Sequence, residues 1–190
     1  MIDRDVRRGV WRKVEGTSLA GRTLGVIGLG SIGQAVARRG SAMGMRVIGH
    51  DVAAGQQRIA TGLGVEVLDL EGLVRTSDVI SLHCPLTAEN RHLLDGRRLA
   101  ATRHGVWIIN TARGGLIDEA ALVEALRSGQ VGAAALDVFE VEPLPADSQL
   151  RDLPAVIFGA HNASNTGDAV RRVSEVAIDN LFSGLDEVRR

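Results

Sequence analysis

The sequence predicts an α/β domain built on a doubly wound parallel sheet of about seven strands, with helices on both faces. Short runs rich in β-branched residues alternate along the chain with stretches whose apolar residues recur at helical spacing. Several runs, among them Val79–Leu82 and Val106–Ile109, are apolar at nearly every position, as strands covered on both faces are. The alternation continues along the chain, which favours parallel strands joined by right-handed crossovers.

Seven strands and three long helices are predicted. The strands are Thr23–Ile27, Arg46–His50, Val65–Leu68, Val79–His83, Val106–Asn110, Ala133–Val138 and Val156–Phe158, and the helices include Ile32–Ala42, Glu119–Ser128 and Gly167–Leu185. We expect Asp118 to cap the second of these helices and Gly129 to end it, because those positions favour such residues. The last helix carries an apolar stripe at Val170, Val173, Ala177, Ile178 and Leu181.

Residues 1–20 differ from the rest of the chain. They are rich in arginine and show no strand pattern, so we expect the end of a helix followed by a linker. Residues 21–190 contain all the predicted strands and form the predicted domain. Apolar residues make up 45% of the chain, enough to bury a core without disulfides or metals, and no residue is assigned as a metal ligand.

Composition and charge argue against several classes of function. The net charge is −1 and aromatic residues make up 3%, which disfavours both a nucleic-acid surface and attraction to an anionic membrane. Cys84 is the single cysteine, and the apolar runs fall short of the roughly 20 residues of a membrane span, so we expect a cytoplasmic protein. Lys13 is the single lysine among 22 basic residues, a bias typical of a GC-rich bacterial genome.

A glycine-rich loop joins the first strand to the first long helix. The loop reads Gly28-Leu29-Gly30-Ser31-Ile32-Gly33. Gly28 permits the tight turn, Gly30 lets the backbone approach a pyrophosphate, and Gly33 lets the helix pack closely on the strand. The free N–H groups of Ser31 and Ile32 at the helix start would then face phosphate oxygens. This pattern predicts a Rossmann-type dinucleotide site, although a glycine-rich turn without a ligand shares it.

An acidic residue supports the dinucleotide interpretation. Asp51 follows the second strand, about 20 residues beyond the glycine loop, where the ribose-binding acid of such a site is expected. Its carboxylate would accept hydrogen bonds from both adenosine ribose hydroxyls and would repel a 2′-phosphate, so NAD is favoured over NADP. The alternative is an aspartate that merely ends a strand in a turn.

Four further segments resemble one enzyme family. They read His83-Cys84-Pro85-Leu86-Thr87, Asn110-Thr111-Ala112-Arg113-Gly114-Gly115-Leu116-Ile117-Asp118, Leu136-Asp137-Val138-Phe139-Glu140-Val141-Glu142-Pro143 and Gly159-Ala160-His161-Asn162-Ala163-Ser164. In this order, and together with the glycine loop, they closely resemble the D-isomer-specific 2-hydroxyacid dehydrogenases, which include phosphoglycerate, glyoxylate/hydroxypyruvate and D-lactate dehydrogenases. The resemblance begins near Gly9, and it implies hydride transfer between NAD(H) and a D-2-hydroxy acid/2-keto acid pair.

The resemblance implies a catalytic set of Arg113, Glu142 and His161. Reduction of a ketone by hydride leaves an alkoxide, so a proton donor is needed beside the carbonyl oxygen, and histidine has a suitable pKa for that role. Glu142 would pair with the other ring nitrogen and favour the protonated imidazole. Arg113 would hold the substrate carboxylate and polarise the carbonyl. The remaining histidines, at positions 50, 83, 92 and 104, are interpreted as structural.

The resemblance also implies a set of cofactor contacts. Beyond the glycine loop they are Ser31, Ile32, Asp51, Cys84, Pro85, Thr111, Ala112, Asp137 and Ser164. Asp137 and Ser164 would lie near the nicotinamide, and Cys84 would form a wall of the cleft rather than act as a nucleophile. The sequence departs from the family at Ala160, where a proline usually precedes the histidine, so the loop that carries His161 is expected to be less rigid.

Members of this family have a second domain that encloses the substrate. That domain would precede residue 1 of the chain, and the segment Arg7-Arg8-Gly9-Val10-Trp11 matches the stretch that leads into the cofactor domain in full-length members. We therefore expect this chain to be a fragment that folds and binds NAD but has little or no dehydrogenase activity. Exposed apolar surface near Trp11 would favour self-association, and a homodimer is expected.

Two other functions fit part of the pattern. An NAD sensor or a corepressor-like binding module of the same superfamily would keep the glycine loop without needing turnover. A phosphite or formate dehydrogenase would share this domain, but formate dehydrogenases have a glutamine where Glu142 stands. The glutamate therefore argues against the formate alternative, whereas the phosphite alternative stays open on these residues.

Overall fold

The computed structural model of the chain describes residues 2–188, and Met1, Arg189 and Arg190 lie outside the described residues. Seven parallel strands form a single sheet in this part of the chain. They are β1 (Thr23–Ile27), β2 (Arg46–His50), β3 (Glu66–Val67), β4 (Val79–Leu82), β5 (Val106–Asn110), β6 (Val131–Leu136) and β7 (Val156–Phe158). The strand order β3-β2-β1-β4-β5-β6-β7 reverses direction between β1 and β4, which confirms the doubly wound arrangement.

The helices follow the strands in alternation, as predicted. They are α1 (Ile2–Arg7), α2 (Ser31–Ala42), α3 (Ala54–Gly62), α4 (Leu70–Thr76), α5 (Gly96–Ala100), α6 (Glu119–Arg127) and α7 (Gly167–Val188), with single 3₁₀ turns at Gly114–Leu116 and Gln149–Asp152. Asp118 caps α6, because its side chain accepts a hydrogen bond from the Ala121 N–H. Gly129 follows α6 in the left-handed conformation, so both predicted end signals are confirmed.

Two apolar clusters cover the two faces of the sheet. Leu24 and Val26 of β1 pack with α2 and α3 on one face. Ile27 and its neighbours pack with α4, α5 and α6 on the other. The helices cover the sheet unevenly on the face that packs against α2. On this face Ile157 of β7 is 72% exposed and Trp107 of β5 is only half-buried. The helices therefore enclose β1 and β2 more completely than β5 to β7.

Most predicted boundaries agree with the structure. β1, β2, β5 and β7 have the predicted limits, whereas β3 is confined to two residues and β4 ends one residue earlier than predicted. β6 begins at Val131 instead of Ala133 and ends at Leu136 instead of Val138. Gly132 lies inside the strand because it packs against the Gly105 carbonyl, where a side chain would not fit. Asp137 therefore belongs to the loop beyond the sheet.

The two ends of the described chain are exposed. α1 has no buried residue, and residues 8–20 form no regular element. α7 forms with the predicted apolar stripe, but the stripe does not pack on the domain. Its residues are exposed by about half or more, among them Val173, Ile178 and Leu181. No helix among residues 2–188 combines the length and apolarity needed to cross a membrane.

Candidate functional site

The glycine loop makes the tight turn that the sequence predicts. Gly28 follows β1 with φ +93°, a conformation that a residue with a side chain rarely adopts. Its N–H donates to the His50 carbonyl at the end of β2, at 2.8 Å. A Cβ at this position would lie 2.6 Å from the Cys84 nitrogen and from the His83 carbonyl carbon, so only glycine fits between β2 and β4.

The other two glycines of the loop have different surroundings. A Cβ on Gly33 would lie 1.9 Å from the Gly28 carbonyl oxygen, so this glycine allows α2 to pack directly on the loop. A Cβ on Gly30 would meet no atom within 4 Å, which shows open space in front of the helix start. Ser31 and Ile32 form the first turn of α2 and are exposed beside that space. The start of α2 is thus an open cradle that fits a pyrophosphate.

Asp51 lies at the end of β2, beside the glycine loop. Its Oδ2 accepts a hydrogen bond from the Leu29 N–H at 2.7 Å, and its Oδ1 accepts one from the Ala53 N–H at 2.8 Å. The carboxylate therefore ties the glycine loop to the start of α3. Each oxygen keeps a second lone pair, and the half-buried side chain can still accept hydrogen bonds from two ribose hydroxyls.

Cys84 and Pro85 follow β4 on the same edge of the sheet. Burial raises the pKa of the half-buried Cys84 thiol, and the charge of Asp51 raises it further. An uncharged thiol is a weak nucleophile, which agrees with its interpretation as part of a wall. Thr111 and Ala112 follow β5, the next strand of the sheet. All four residues thus lie along the carboxyl edge that also carries the glycine loop.

Asn110 fixes the segment that carries Arg113. This asparagine is the last residue of β5 and is buried. Its side chain accepts a hydrogen bond from the Ala112 N–H at 3.0 Å and donates one to the Arg113 carbonyl at 2.9 Å. Sequence reasoning included Asn110 in a motif but gave it no role, although a polar residue at the end of a buried strand is a signal for such a role.

Glu142 and His161 come together directly. The Nδ1 of His161 lies 2.7 Å from Glu142 Oε2, and the Phe139 N–H donates to Glu142 Oε1 at 3.0 Å. These two hydrogen bonds lower the pKa of the Glu142 carboxyl below its ordinary value. A carboxylate can only accept, so Nδ1 carries a proton and Nε2 is left to meet another molecule.

Asp137 holds the loop that carries His161. Its carboxylate accepts hydrogen bonds from the N–H groups of Asn162 at 3.2 Å and Ala163 at 2.8 Å. Its carbonyl accepts the His161 N–H at 2.7 Å. Gly159 lies so close that a Cβ there would sit 2.0 Å from Asp137 Oδ1. Buried Asp137 therefore anchors the loop, a role that its proposed place near the nicotinamide did not predict.

His161 adopts a backbone conformation that is unusual for histidine. Its φ is +53°, in the left-handed region that normally favours glycine or asparagine. The Asp137 contacts and the Glu142 pair hold it there in the absence of the expected proline at position 160. Ser164 follows in an exposed turn. A cleft of about 820 Å³ opens beside the pair, lined by Phe139, Leu144 and Phe158 among others.

Arg113 lies after β5 on the same edge of the sheet but does not join the other two catalytic candidates. Its exposed guanidinium donates to the Ala112 carbonyl at 2.6 Å. Among the described residues it forms no hydrogen bond or ion pair with Glu142 or His161. In the same part of the chain, no group of three or more histidine, cysteine or acidic side chains is placed to hold a metal ion.

Comparison with known proteins identifies the family. The profile of the D-isomer specific 2-hydroxyacid dehydrogenase, NAD binding domain, matches residues 1–163. The hydroxypyruvate reductase of Thermotoga maritima is 45% identical over 185 residues, which cover 95% of this chain and 59% of that protein. The D-3-phosphoglycerate dehydrogenase of Methanocaldococcus jannaschii is 42% identical over 179 residues, 93% of this chain and 34% of that protein. The chain thus spans 59% of the length of the first relative and 34% of the length of the second.

Comparison with a solved structure supports the same family. The D-lactate dehydrogenase from Aquifex aeolicus, complexed with NAD and lactic acid, superposes with a TM-score of 0.87 at 31% identity. The match covers 98% of this chain and 61% of that one. The cradle at the start of α2 and the neighbouring carboxylate of Asp51 also fit NAD. The chain therefore belongs to the D-isomer-specific 2-hydroxyacid dehydrogenase family and is an NAD-binding domain of that family.

Proposed function

We propose that this chain is the cofactor-binding part of an enzyme that interconverts a D-2-hydroxy acid and its 2-keto acid. The observation that carries the proposal is the His161–Glu142 pair, 2.7 Å apart, on the same sheet edge as the NAD cradle. Ligands of doubly wound domains bind along this edge, so cofactor and acid–base group would share one cleft.

His161 is proposed as the group that exchanges a proton with the substrate oxygen. Bound NAD supplies or accepts the hydride, and the protein must supply or accept a proton. The Nδ1–H of His161 is held by the Glu142 carboxylate, so Nε2 is the atom that gives a proton to the substrate oxygen or takes one from it. The negative charge of Glu142 stabilises the imidazolium that forms when the hydroxy acid is oxidised.

Arg113 is proposed to bind the substrate carboxylate. Its guanidinium is exposed and engages only a backbone carbonyl among the described residues, so its remaining N–H donors are free to bind an anion. Asn110 holds the backbone on both sides of this residue, which gives the arginine a fixed base. A positive charge near the keto oxygen would also polarise the carbonyl.

The cofactor is proposed to contact Gly28, Gly30, Ser31, Ile32 and Gly33 at its pyrophosphate. Asp51 would bind the adenosine ribose and, by its charge, favour NAD over NADP. Farther along the edge the proposed contacts are Cys84, Pro85, Thr111, Ala112, Asp137 and Ser164. Their support is their common position after the carboxyl ends of adjacent strands.

The full-length protein is proposed to contain a second domain and to form a dimer. We propose that residues 1–20 lead from a substrate-binding domain into the NAD-binding domain of residues 21–190, and that the full protein is a cytoplasmic bacterial homodimer. The greater length of the relatives supports the extra domain, and the exposed Trp11 supports self-association. Without a second wall the cleft admits water, so this chain alone should show little turnover of NADH with glyoxylate, hydroxypyruvate or pyruvate.

The test is replacement of His161 in the full-length protein. His161→Ala should lower kcat by about 10²-fold or more, because the proton donor is lost. The NADH affinity, measured by calorimetry, should change little, since the proposed cradle lies at α2. Turnover near that of the unmodified protein would refute the role of His161. Loss of NADH binding would instead show that the histidine contributes to the cofactor site.

A further inference from the structure

Two glutamates form a reciprocal contact between α6 and the loop that carries Glu142. The Glu119 N–H donates to Glu140 Oε1 at 3.1 Å, and the Glu140 N–H donates to Glu119 Oε1 at 2.5 Å. We call this pair the glutamate clasp. Both side chains are largely shielded from solvent, and each carboxylate satisfies a backbone donor of the other residue. The clasp thus fixes the backbone at Glu140, two residues before Glu142.

Arg91 and His92 reinforce the clasp. Glu140 Oε2 accepts hydrogen bonds from Arg91 at 2.8 Å and from the His92 Nε2 at 3.1 Å. Burial raises the pKa of Glu119, and the facing charge of Glu140 raises it further. Burial also acts to raise the pKa of Glu140, but hydrogen bonds from Glu119 and His92 and the charge of Arg91 lower it below its ordinary value. The positive charge of Arg91 and the hydrogen bond from His92 therefore offset the repulsion between the carboxylates.

The clasp lies over a close contact between the two catalytic segments. A Cβ on Gly114 would lie 1.9 Å from the Phe139 carbonyl carbon and 2.5 Å from the Glu140 nitrogen. The segment after Arg113 and the segment before Glu142 are thus packed backbone to backbone. The His92 N–H also donates to the Gly115 carbonyl at 2.8 Å, so the loop that carries Arg91 and His92 is bonded to the same unit.

We propose that Glu119 and Glu140 are positioning residues that keep the Arg113 segment and the Glu142 segment in fixed register, so that the Glu142 carboxylate stays on His161. The proposal rests on the proposed function for the roles of those three residues. The Glu142 loop is exposed, and the Phe139 N–H is the only other donor recorded for its carboxylate among the described residues. A displacement of about 1 Å in such a group can cost about 10²-fold in rate, which is why a rigid support matters.

The experiment measures the pKa of Glu142 by ¹³C NMR titration of the chain, in a set of variants. Glu119→Ala removes one half of the clasp and should raise the Glu142 pKa toward its ordinary value, since the carboxylate would no longer be held on His161. Glu119→Gln keeps an oxygen that accepts from the Glu140 N–H and should preserve the low pKa. Glu140→Ala should have the same effect as Glu119→Ala, and it provides a second route if one variant fails to fold.

Glu124→Gln is the matched control. Glu124 lies on the same helix but pairs only with Arg127 on the surface, so its loss should leave the Glu142 pKa unchanged. An unchanged Glu142 pKa in folded Glu119→Ala and Glu140→Ala would overturn the positioning role, as would an equal rise in Glu119→Gln. NADH binding by the unmodified chain is recorded in parallel. Absent binding would count against the proposed function, while the titrations would still decide the clasp.

Discussion

The glycine loop and the loops that carry the three proposed catalytic residues, called the catalytic loops below, lie on one edge of the sheet but are held there by different interactions. The glycine loop is fixed by backbone packing, because Gly28 and Gly33 leave no room for a side chain between β1, α2 and β4. The catalytic loops beyond β5, β6 and β7 are fixed largely by side chains, namely those of Asn110, Asp137 and Glu140. Steric exclusion tolerates no substitution, whereas a hydrogen-bonded support can be weakened in steps.

The strands beside the glycine loop are also more buried than those beside the catalytic loops. Helices cover both faces of the sheet at β1 and β2, while Ile157 on β7 stays 72% exposed and His161 is half-exposed. The cofactor side is therefore preformed within this chain. The side that carries the proposed catalytic residues is more open, which agrees with the proposal that another domain completes it.

The largest effect is expected at the glycine loop. Gly33→Ala places a methyl group against the Gly28 carbonyl, and overpacking of this kind costs about 1–3 kcal/mol or more. Thermal unfolding should shift to a lower temperature, and NADH binding should be lost. Gly30→Ala is the matched control, since its methyl group meets no protein atom. It should keep the unfolding temperature but weaken NADH binding, and a destabilised Gly30→Ala would contradict the comparison.

A smaller and more local effect is expected at Asp137. Asp137→Ala removes the acceptor of the Asn162 and Ala163 N–H groups, and because both residues are exposed, water can partly replace it, at a cost of about 1 kcal/mol. Hydrogen exchange should become faster at these two amides, while exchange in α2 stays slow. Asp147→Ala, at an exposed position in the loop between β6 and β7, is the control. Equal loss of protection in α2 would show that the two regions are not independently held.

The smallest effect is a pH dependence at His83, where the two regions meet. Burial lowers the pKa of this histidine, whose Nε2 lies 2.8 Å from Ser81 Oγ. The unfolded chain takes up the proton at a higher pH than the folded chain does. The contribution of His83 to stability is therefore complete above a pH of about 6.5 and is lost as the pH falls below it toward the lowered pKa.

Denaturant unfolding between about pH 7 and pH 5 tests this expectation. The unmodified chain should lose more stability over this range than His83→Gln, whose amide can still meet Ser81. His104→Gln, at an exposed position before β5, controls for the removal of a histidine. Parallel pH profiles for the unmodified chain and His83→Gln would contradict the role of burial.

Sequence reasoning predicted the regular parts of the molecule and the glycine loop well. Strands such as Thr23–Ile27 have an apolar pattern with sharp glycine ends, and local pattern is enough to predict such elements. The predicted start of β6 was wrong because Gly132 lies in the strand, in contact with the carbonyl of Gly105, a residue distant in sequence. Contacts of that kind leave no local signal.

For the candidate site, too, the sequence predicted some residues and missed others. His161 and Glu142 were proposed from the resemblance, and the structure brings them together, although their roles stay predictions. The glutamate clasp was not anticipated, and His92 was interpreted only as structural. Glu119 and Glu140 are separated by a helix and a strand, and their reciprocal hydrogen bonds depend on how α6 and β6 pack. Sequence spacing carries no information on such a pairing.

The left-handed backbone at His161 limits how far this part of the domain can be stabilised. A residue with a side chain pays about 1–2 kcal/mol for a φ of +53°, and glycine or asparagine would pay less. Screens that select mutants for heat resistance would therefore tend to replace this histidine and discard the imidazole. If His161 has the proposed acid–base role, such replacements would gain stability at the expense of turnover.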